Sequence, residues 1–191
     1  MVGMVAEVEA GGWPTHVSWE WTVAMLDALP DDNLKYELLD GTLLVSPLPV
    51  PLHQAVIGEL HLLLRAVCPP GHFVFLSPLD WRPDGRTSLE PDLLVVRRDR
   101  IGVKNIQETP TLVVEVISPS SARIDRMLKF SRYAEGGIEQ YWIVDPRVPS
   151  IAVYQLIDGE FALQAESTGA ETISLTTPLT ISLTADPLIT I

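Results

Sequence analysis

The segment over residues 111–118, TLVVEVIS, is apolar on both faces of any strand that it forms. A strand with water on one face alternates apolar and polar residues, whereas a strand covered on both faces is almost continuously apolar. Residues 92–96, DLLVV, have the same character. Two such strands require a central sheet with other elements packed on each face. The sequence therefore predicts a layered fold of helices and strands.

Helical patterns occur on both sides of these strands. Ser18 can cap the first predicted helix, which ends at Pro30, and Gly136-Gly137 ends the last. The sequence KYELLDGTLLVS predicts a hairpin, because Asp40-Gly41 is a pair that a type I′ turn prefers. The predicted helices cover residues 19–29, 52–67 and 121–135.

Short apolar runs account for most of the remaining chain, and Asp158-Gly159 is a second hairpin turn. We therefore predict an α/β (α+β) fold, with a mixed central β-sheet flanked by helices and extra C-terminal hairpin strands. It forms a single domain over residues 18–191, after a flexible tail over residues 1–17. The additional strands are predicted over residues 72–77, 140–145, 151–156, 161–166 and 172–175.

Glu115 stands where an interior strand should carry no charge. Alternation places its side chain on the face shared with Val113 and Ile117, where an unpaired carboxylate costs several kcal/mol. Asp92 opens the preceding apolar strand, so the two carboxylates could converge on one cation. Hard oxygen ligands of this kind suit Mg²⁺ or Mn²⁺. Taken singly, each residue is more often structural than catalytic.

The last predicted helix carries Asp125, Lys129 and Tyr133 at intervals of four residues, which places them along one face. One interpretation is a solvated Asp–Lys ion pair with Tyr133 docked on the sheet. The other is that the turn after the strand brings Lys129 over Glu115, where its ammonium could orient a water or stabilise a phosphate. The spacing alone slightly favours the solvated pair.

Two further residues have two interpretations each. Glu37 lies between apolar positions of the first hairpin and is either an additional acidic site residue or the polar side of that hairpin. His53 lies in the first turn of the second helix, where a histidine is more often a packing or surface residue than a ligand.

Charge and cysteine content limit which partners the chain can bind and where it can be located. Thirteen Lys and Arg face twenty-five Asp and Glu, which gives a formal net charge of −12. Such a chain repels polyanions at long range, so any contact with nucleic acid must be local. The single cysteine, Cys68, fits a reducing cytoplasm, and no apolar stretch approaches the roughly 18 residues of a membrane span. The residues that could aid a local contact are Arg97, Arg98, Arg100, Lys104, Arg123, Arg126, Lys129 and Arg132.

Several short motifs follow one another along the chain. They are YELLDG at residues 36–41, Ser46-Pro47 followed by His53, Pro91-Asp92-Leu93, VEVISPS at residues 114–120, the set Asp125, Lys129 and Tyr133, and GI leading into YWIVDP at residues 137–146. In this order they resemble the Uma-type family of putative restriction endonucleases. That family is widespread in bacteria and belongs to the PD-(D/E)xK nuclease-like superfamily. The resemblance covers the chain from about Trp19 to its end and implies a restriction-endonuclease-like fold.

The resemblance also implies a role for each matching residue. Asp92 and Glu115 would be catalytic metal ligands, with the carbonyl of Val116 as a third ligand, and Glu37 would be a further ligand or an orienting residue. The lysine that the superfamily places two residues after the second acid is absent, because Ile117 stands there. A helical lysine takes over in the family, and Lys129 is the matching position. Accessory roles would fall to His53, Asp125 and Tyr133.

The resemblance thus implies a metal-dependent endonuclease that hydrolyses phosphodiester bonds with Mg²⁺ or Mn²⁺. Two alternatives stay open: a non-catalytic binding or assembly module on the same fold, and a metal-dependent hydrolase of a small phosphorylated substrate. The role of Gln140, where relatives often carry a glutamate, is also open. The apolar segment at the C-terminus, residues 174–191, could complete a sheet or form the interface of a homodimer.

Overall fold

The elements follow one another in nearly the predicted order, with three strands added. The computed structural model describes residues 20–30, 34–118 and 122–190. The N-terminal half contains α1 (Val23–Leu26), β1 (Leu34–Leu39), β2 (Thr42–Pro47), α2 (Pro51–Val67), β3 (His72–Leu76), β4 (Trp81–Asp84), β5 (Thr87–Leu89) and β6 (Leu93–Arg97). The C-terminal half contains β7 (Leu112–Val116), a π-helical segment (Ile124–Lys129), α3 (Phe130–Glu135), β8 (Gln140–Asp145), β9 (Ser150–Ile157), β10 (Glu160–Thr168), β11 (Thr172–Leu175) and β12 (Ile181–Thr184).

Six of the described strands form a central mixed sheet in the order β10-β9-β8-β7-β6-β3. Strands β7 and β8 are parallel and are joined through the π-helical segment and α3, whereas the other neighbours are antiparallel. Leu93 pairs with Val114 in the register of β6 and β7. The start of β6 therefore lies beside the end of β7, and both open on the same end of the sheet.

The central sheet is covered on both faces, which confirms the mixed α+β fold and the interior strands. Every residue of β7 is buried. On one face, Val114 and Val116 belong to an apolar cluster that includes α2 and the β11–β12 hairpin. On the other face, Val113 and Ile117 belong to a cluster with Tyr133 of α3. Glu115 alternates onto this second face.

A second sheet holds the first hairpin against this end of the central sheet. Its strand order is β2-β1-β5-β4, and Leu38 of β1 pairs with Ser88 of β5. The turn residues Asp40 and Gly41 have φ values of 47° and 84°, the two positive values that a type I′ turn requires. The predicted hairpin is confirmed, and it carries Glu37 into the protein interior, where the side chain is buried.

The first predicted helix was wrong in its length. Helix α1 spans only Val23–Leu26, because Thr22 is extended and its hydroxyl accepts a 3.3 Å hydrogen bond from the backbone N of Met25 as the N-cap. Ser18 and the predicted tail lie outside the described residues. No helix in the part of the chain that the structure describes is long and apolar enough to cross a membrane.

The apolar C-terminal segment packs on its own chain. Strand β12 pairs with β11, and Leu175, Leu179, Ile181 and Leu183 are buried in the cluster that includes α2. These side chains are therefore core residues of one chain. The predicted homodimer stays a prediction.

Candidate active site

Asp92 and Glu115 lie together at one end of the central sheet. Asp92 immediately precedes β6, and Glu115 is the fourth residue of the neighbouring strand β7. The carboxylate oxygen Oδ2 of Asp92 accepts a 2.7 Å hydrogen bond from the backbone N of Val116. Both acidic side chains are buried, at 5% and 3% exposure. The sheet register thus brings two carboxylates together where water cannot solvate them fully.

Lys129 lies at the centre of the acidic cluster. Its Nζ is 2.9 Å from Oε1 of Glu37, 3.0 Å from Oε1 of Glu115 and 3.4 Å from Oδ1 of Asp125. The residue is only 3% exposed. The interpretation as a solvated Asp–Lys pair, which the spacing slightly favoured, was therefore wrong. Asp125 and Lys129 have the spacing of a surface ion pair, but the helical face that carries them points into the protein interior.

The π-helical segment sets the alignment of this face. Residues four apart drift by about 40° around an α-helix, because four residues exceed one turn of 3.6. A π-helix has more residues in each turn, so each residue rotates less about the helix axis. Between Asp125 and Lys129, which lie in the π-helical segment, this smaller rotation counteracts the drift of about 40°. One further turn along, the hydroxyl of Tyr133 donates a 2.7 Å hydrogen bond to Oε1 of Glu115. Single π-helical turns inside α-helices are frequent at functional sites.

Glu37 is held from two directions. Its Oε1 accepts hydrogen bonds from Lys129 and, at 2.8 Å, from the backbone N of Glu90. Lys35, two residues earlier on the same face of β1, donates a 2.7 Å hydrogen bond to the carbonyl of Glu90. Its Nζ also lies 4.0 Å from Oε1 of Glu37. Glu37 is therefore an acidic residue of the cluster and does not form the polar side of the hairpin.

His53 contacts the other side of the cluster. Its Nε2 lies 3.2 Å from Oδ2 of Asp92. Because Val116 donates to the same oxygen, two contacts converge on Oδ2 of this carboxylate. His53 reaches Asp92 from the first turn of α2, so the position is neither a surface site nor simple packing.

Acidic groups outnumber basic groups at this end of the sheet. The cluster contains the carboxylates of Glu37, Asp92, Glu115 and Asp125 and the ammonium groups of Lys35 and Lys129. Burial raises the pKa of Glu115 to about 8; the charge of Lys129 opposes this rise, and the neighbouring carboxylates add to it. Burial lowers the pKa of Lys129, but the surrounding carboxylates, Glu115 first, raise it well above its ordinary value.

The pKa values of Asp92 and Glu37, two other carboxylates of this cluster, shift in the opposite direction to that of Glu115. Burial raises the pKa of Asp92, but the hydrogen bond and charge of His53 more than offset this and lower it. Burial likewise raises the pKa of Glu37, and Lys129 and Lys35 together lower it below its ordinary value. Glu115 is thus the carboxylate of this group whose charge the protein alone compensates least.

A cavity of about 830 Å³ opens on the cluster. Its lining includes Asp92, Glu115 and Val116 together with exposed apolar side chains such as Leu48 and Val50. Ligand sites commonly have this size and this mixture of apolar walls with a few converging polar groups.

The carboxylate oxygens of the cluster determine whether it can take a divalent metal ion. Among the described residues, no group of three or more His, Cys, Asp or Glu side chains could hold a metal. However, all hydrogen bonds to Asp92 and Glu115 from this part of the chain fall on Oδ2 and Oε1, which leaves Oδ1 and Oε2 without one. Two carboxylate oxygens suit Mg²⁺, which keeps several waters and takes only one or two carboxylates from a protein. The residues therefore fit such an ion.

Comparison with known proteins assigns the family. The family model Uma2, described as putative restriction endonuclease, matches residues 23–186. The chain belongs to this family. A solved structure, a putative nuclease belonging to DUF820 from Anabaena variabilis ATCC 29413, is similar with a TM-score of 0.69 and 20% sequence identity, covering 88% of this chain and 97% of that one. A search of curated proteins found no match.

Membership of the Uma2 family agrees with the resemblance seen in the motifs, and the solved structure confirms the nuclease-like fold. Lys35 and Glu90 contact the cluster although no sequence prediction included them. The signal for Lys35 was its alternation with Glu37, which places both on one face of β1. Glu90 acts mainly through its backbone, and no side-chain pattern could have indicated that contact.

Proposed function

We propose that this Uma2 family chain is a nuclease that hydrolyses phosphodiester bonds with Mg²⁺ or Mn²⁺ bound to Asp92, Glu115 and the carbonyl of Val116. The observation that carries the proposal is Lys129, a buried ammonium that contacts three carboxylates beside a cavity lined by Asp92. The acidic surplus of the cluster supports a bound cation, because a divalent ion offsets two carboxylates.

The metal ligands would be positioned by contacts that the structure contains. The backbone N of Val116 donates to Asp92, and in an extended strand the carbonyl of the same residue points to the same side. His53 and Val116 occupy Oδ2 of Asp92, so Oδ1 remains for the ion. A residue that orients a ligand in this way tunes metal affinity without touching the metal.

Lys129 would act as a donor of hydrogen bonds and charge. Its raised pKa keeps it an ammonium at neutral pH, so it cannot take a proton from water. It would instead orient the attacking water and stabilise negative charge that develops on the phosphate. Glu37 and Asp125 would hold the ammonium in place, and Tyr133 would hold Glu115.

The reaction would be a displacement at phosphorus. When bound, the metal ion would supply Lewis acidity and lower the pKa of a coordinated water. The attacking water forms a bond to phosphorus and gives up a proton to the surrounding carboxylates. The bond from phosphorus to the sugar oxygen breaks, and that oxygen takes up a proton from solvent. The products are one phosphate monoester end and one hydroxyl end.

Cleavage assays test the proposal. The purified chain is incubated with single- and double-stranded DNA and RNA, with Mg²⁺, with Mn²⁺ and with a chelator. We expect metal-dependent cleavage that falls at least about 100-fold in Asp92→Asn, Glu115→Gln and Lys129→Met. Asp99→Asn, which changes an exposed carboxylate on the turn after β6, is the matched control and should cleave normally. Full activity in Lys129→Met would contradict the role of that residue.

A further inference from the structure

The basic side chains are distributed unevenly over the sheet. All thirteen Lys and Arg lie in the described part of the chain. Lys35, Lys129, Arg82 and Arg132 are largely buried in ion pairs. At the end of the sheet opposite to the acidic cluster lie Arg65, Arg97, Arg98 and Arg100, where β6 ends and α2 finishes. A second group of exposed arginines lies at the same end of the sheet as the acidic cluster: Arg123, Arg126 and Arg147.

Two of these arginines share one buried carboxylate. The guanidinium groups of Arg126 and Arg147 lie 3.7 Å and 3.3 Å from Oδ2 of Asp145, and their side chains are 53% and 48% exposed. The backbone N of Arg147 also donates a 3.0 Å hydrogen bond to Oδ1 of Asp145. Two positive groups on one carboxylate leave a net positive charge at the surface. Each guanidinium has five N–H donors, so most of them remain for another acceptor.

This arginine pair is close to the acidic cluster along the chain and across the sheet. Arg126 directly follows Asp125, which contacts Lys129. Asp145 directly follows Val144, whose carbonyl accepts a 2.8 Å hydrogen bond from the backbone N of Ile117, two residues after Glu115. The π-helical segment and the end of β8 thus present the pair on the same end of the sheet as the cavity.

We propose that Arg126 and Arg147 bind a phosphate of the nucleic acid strand that flanks the phosphate to be cleaved. This inference rests on the proposed function. A chain with a net charge of −12 repels a polyanion, so binding requires a local positive surface beside the site. Asp145 brings both guanidinium groups to one carboxylate, so the two arginines can make forked contacts with the same phosphate.

A pair of substrates tests the inference. One is a short single-stranded DNA oligonucleotide, and the other is bis(p-nitrophenyl) phosphate, a phosphodiester without flanking phosphates. The double variant Arg126→Gln, Arg147→Gln is compared with Arg97→Gln, Arg98→Gln, which removes two exposed arginines from the opposite end of the sheet. We expect the first variant to raise KM for the oligonucleotide about tenfold or more. The slope of log KM against log salt should fall by about 0.7 for each phosphate that the variant no longer neutralises.

Hydrolysis of bis(p-nitrophenyl) phosphate should be unchanged in both double variants, which also reports that they are folded. If the first double variant does not fold, the single variant Arg126→Gln leaves Arg147 on Asp145 and should show part of the same rise in KM. An equal rise in KM in both double variants, or no rise in the first, would overturn the inference while the proposed function stands. Failure of the unmodified protein to cleave bis(p-nitrophenyl) phosphate or any of single- or double-stranded DNA and RNA with Mg²⁺ or Mn²⁺ would overturn both.

Discussion

Two buried polar clusters lie at opposite ends of the parallel strands β7 and β8. At one end, the Nε2 of Gln140 lies within 3.3 Å of acceptors on Gln155, Gln164 and the carbonyl of Thr177, and its Oε1 accepts a 2.6 Å hydrogen bond from Nε1 of Trp142. At the other end, Lys129 is surrounded by carboxylates. The first cluster is neutral and its central amide is saturated, whereas the second carries surplus negative charge.

The two clusters therefore differ in role: the first stabilises the fold, and the second can bind a ligand. A saturated neutral network fixes the packing of the C-terminal segment and has no capacity for a ligand. An ionic cluster with a carboxyl group whose pKa is raised to about 8 is costly to the fold and gains from a bound cation. The position where relatives often carry a glutamate, Gln140, thus belongs to the structural end of the sheet in this chain.

The largest effect is expected when the central cation is removed. Lys129→Met leaves buried carboxylates without their partner, so the free energy of unfolding should fall by about 3–5 kcal/mol. Urea unfolding with a chelator present measures this loss. Lys104→Met, at an exposed position, should change the free energy by less than about 0.5 kcal/mol. A loss as small in Lys129→Met as in this control would mean that the cluster is not coupled to the fold.

The second-largest effect is expected in the pH dependence of the free energy of unfolding, to which only the ionic cluster should contribute. The pKa of Glu115 is about 8 in the folded chain and its ordinary value is 4.5, so the folded state binds the proton more tightly. Its contribution to stability is complete below the lower pKa and is lost as the pH rises through about 8. In chelator, the free energy of unfolding should fall across this window by roughly 1.4 kcal/mol for each pH unit.

Glu115→Gln removes this titration and should gain stability relative to the unmodified chain as the pH rises from 5 to 8. Urea unfolding at several pH values measures the difference. Gln140→Leu should keep the pH dependence of the unmodified chain, because the amide cluster does not titrate. If the free energy of unfolding depends on pH in the same way for the unmodified chain and Glu115→Gln, the raised pKa of Glu115 would be contradicted.

Disruption of the amide cluster should cost stability alone. Gln140→Leu leaves Nε1 of Trp142 and several acceptors unpaired in the interior, at a cost of about 1–3 kcal/mol in the free energy of unfolding. The folded fraction of this variant should bind Mn²⁺ and cleave nucleic acid normally. Loss of metal binding in a folded Gln140→Leu protein would show that the two clusters are not independent.

The smallest effect is expected at the edge of the ionic cluster. His53→Ala removes one of the two contacts to Oδ2 of Asp92 and should weaken Mn²⁺ binding by about 10–100-fold. Calorimetric titration of the metal checks this. His61→Ala, on the same helix, is the control and should bind Mn²⁺ normally. Equal affinities in the two variants would exclude a positioning role for His53.

The sequence predicts the ionic cluster only in part. The convergence of Asp92 and Glu115 follows from two neighbouring strands that are apolar on both faces. The burial of Lys129 does not follow, because a solvated helical ion pair has the same spacing of four residues. The π-helical segment was also unpredictable, since no local sequence pattern indicates a shift of the backbone hydrogen bonds by one residue.

The missed strands have a related cause. Strands β4 and β5 were not predicted, because Pro83 and Gly85 interrupt a short segment that has no clear alternation. Strand β12 lies in an apolar segment that has two interpretations in the sequence, and its burial beside α2 is a long-range contact. Local patterns thus predicted the central strands, while the outer sheets depended on partners distant in the chain.

The most direct test of the central claim is a calorimetric titration of the metal-free chain with Mn²⁺. We expect one ion to bind to each chain of the unmodified protein and of Gln140→Leu, and no ion to bind to Asp92→Asn. The absence of binding at millimolar Mn²⁺, or unchanged binding in Asp92→Asn, would contradict a metal site formed by Asp92 and Glu115.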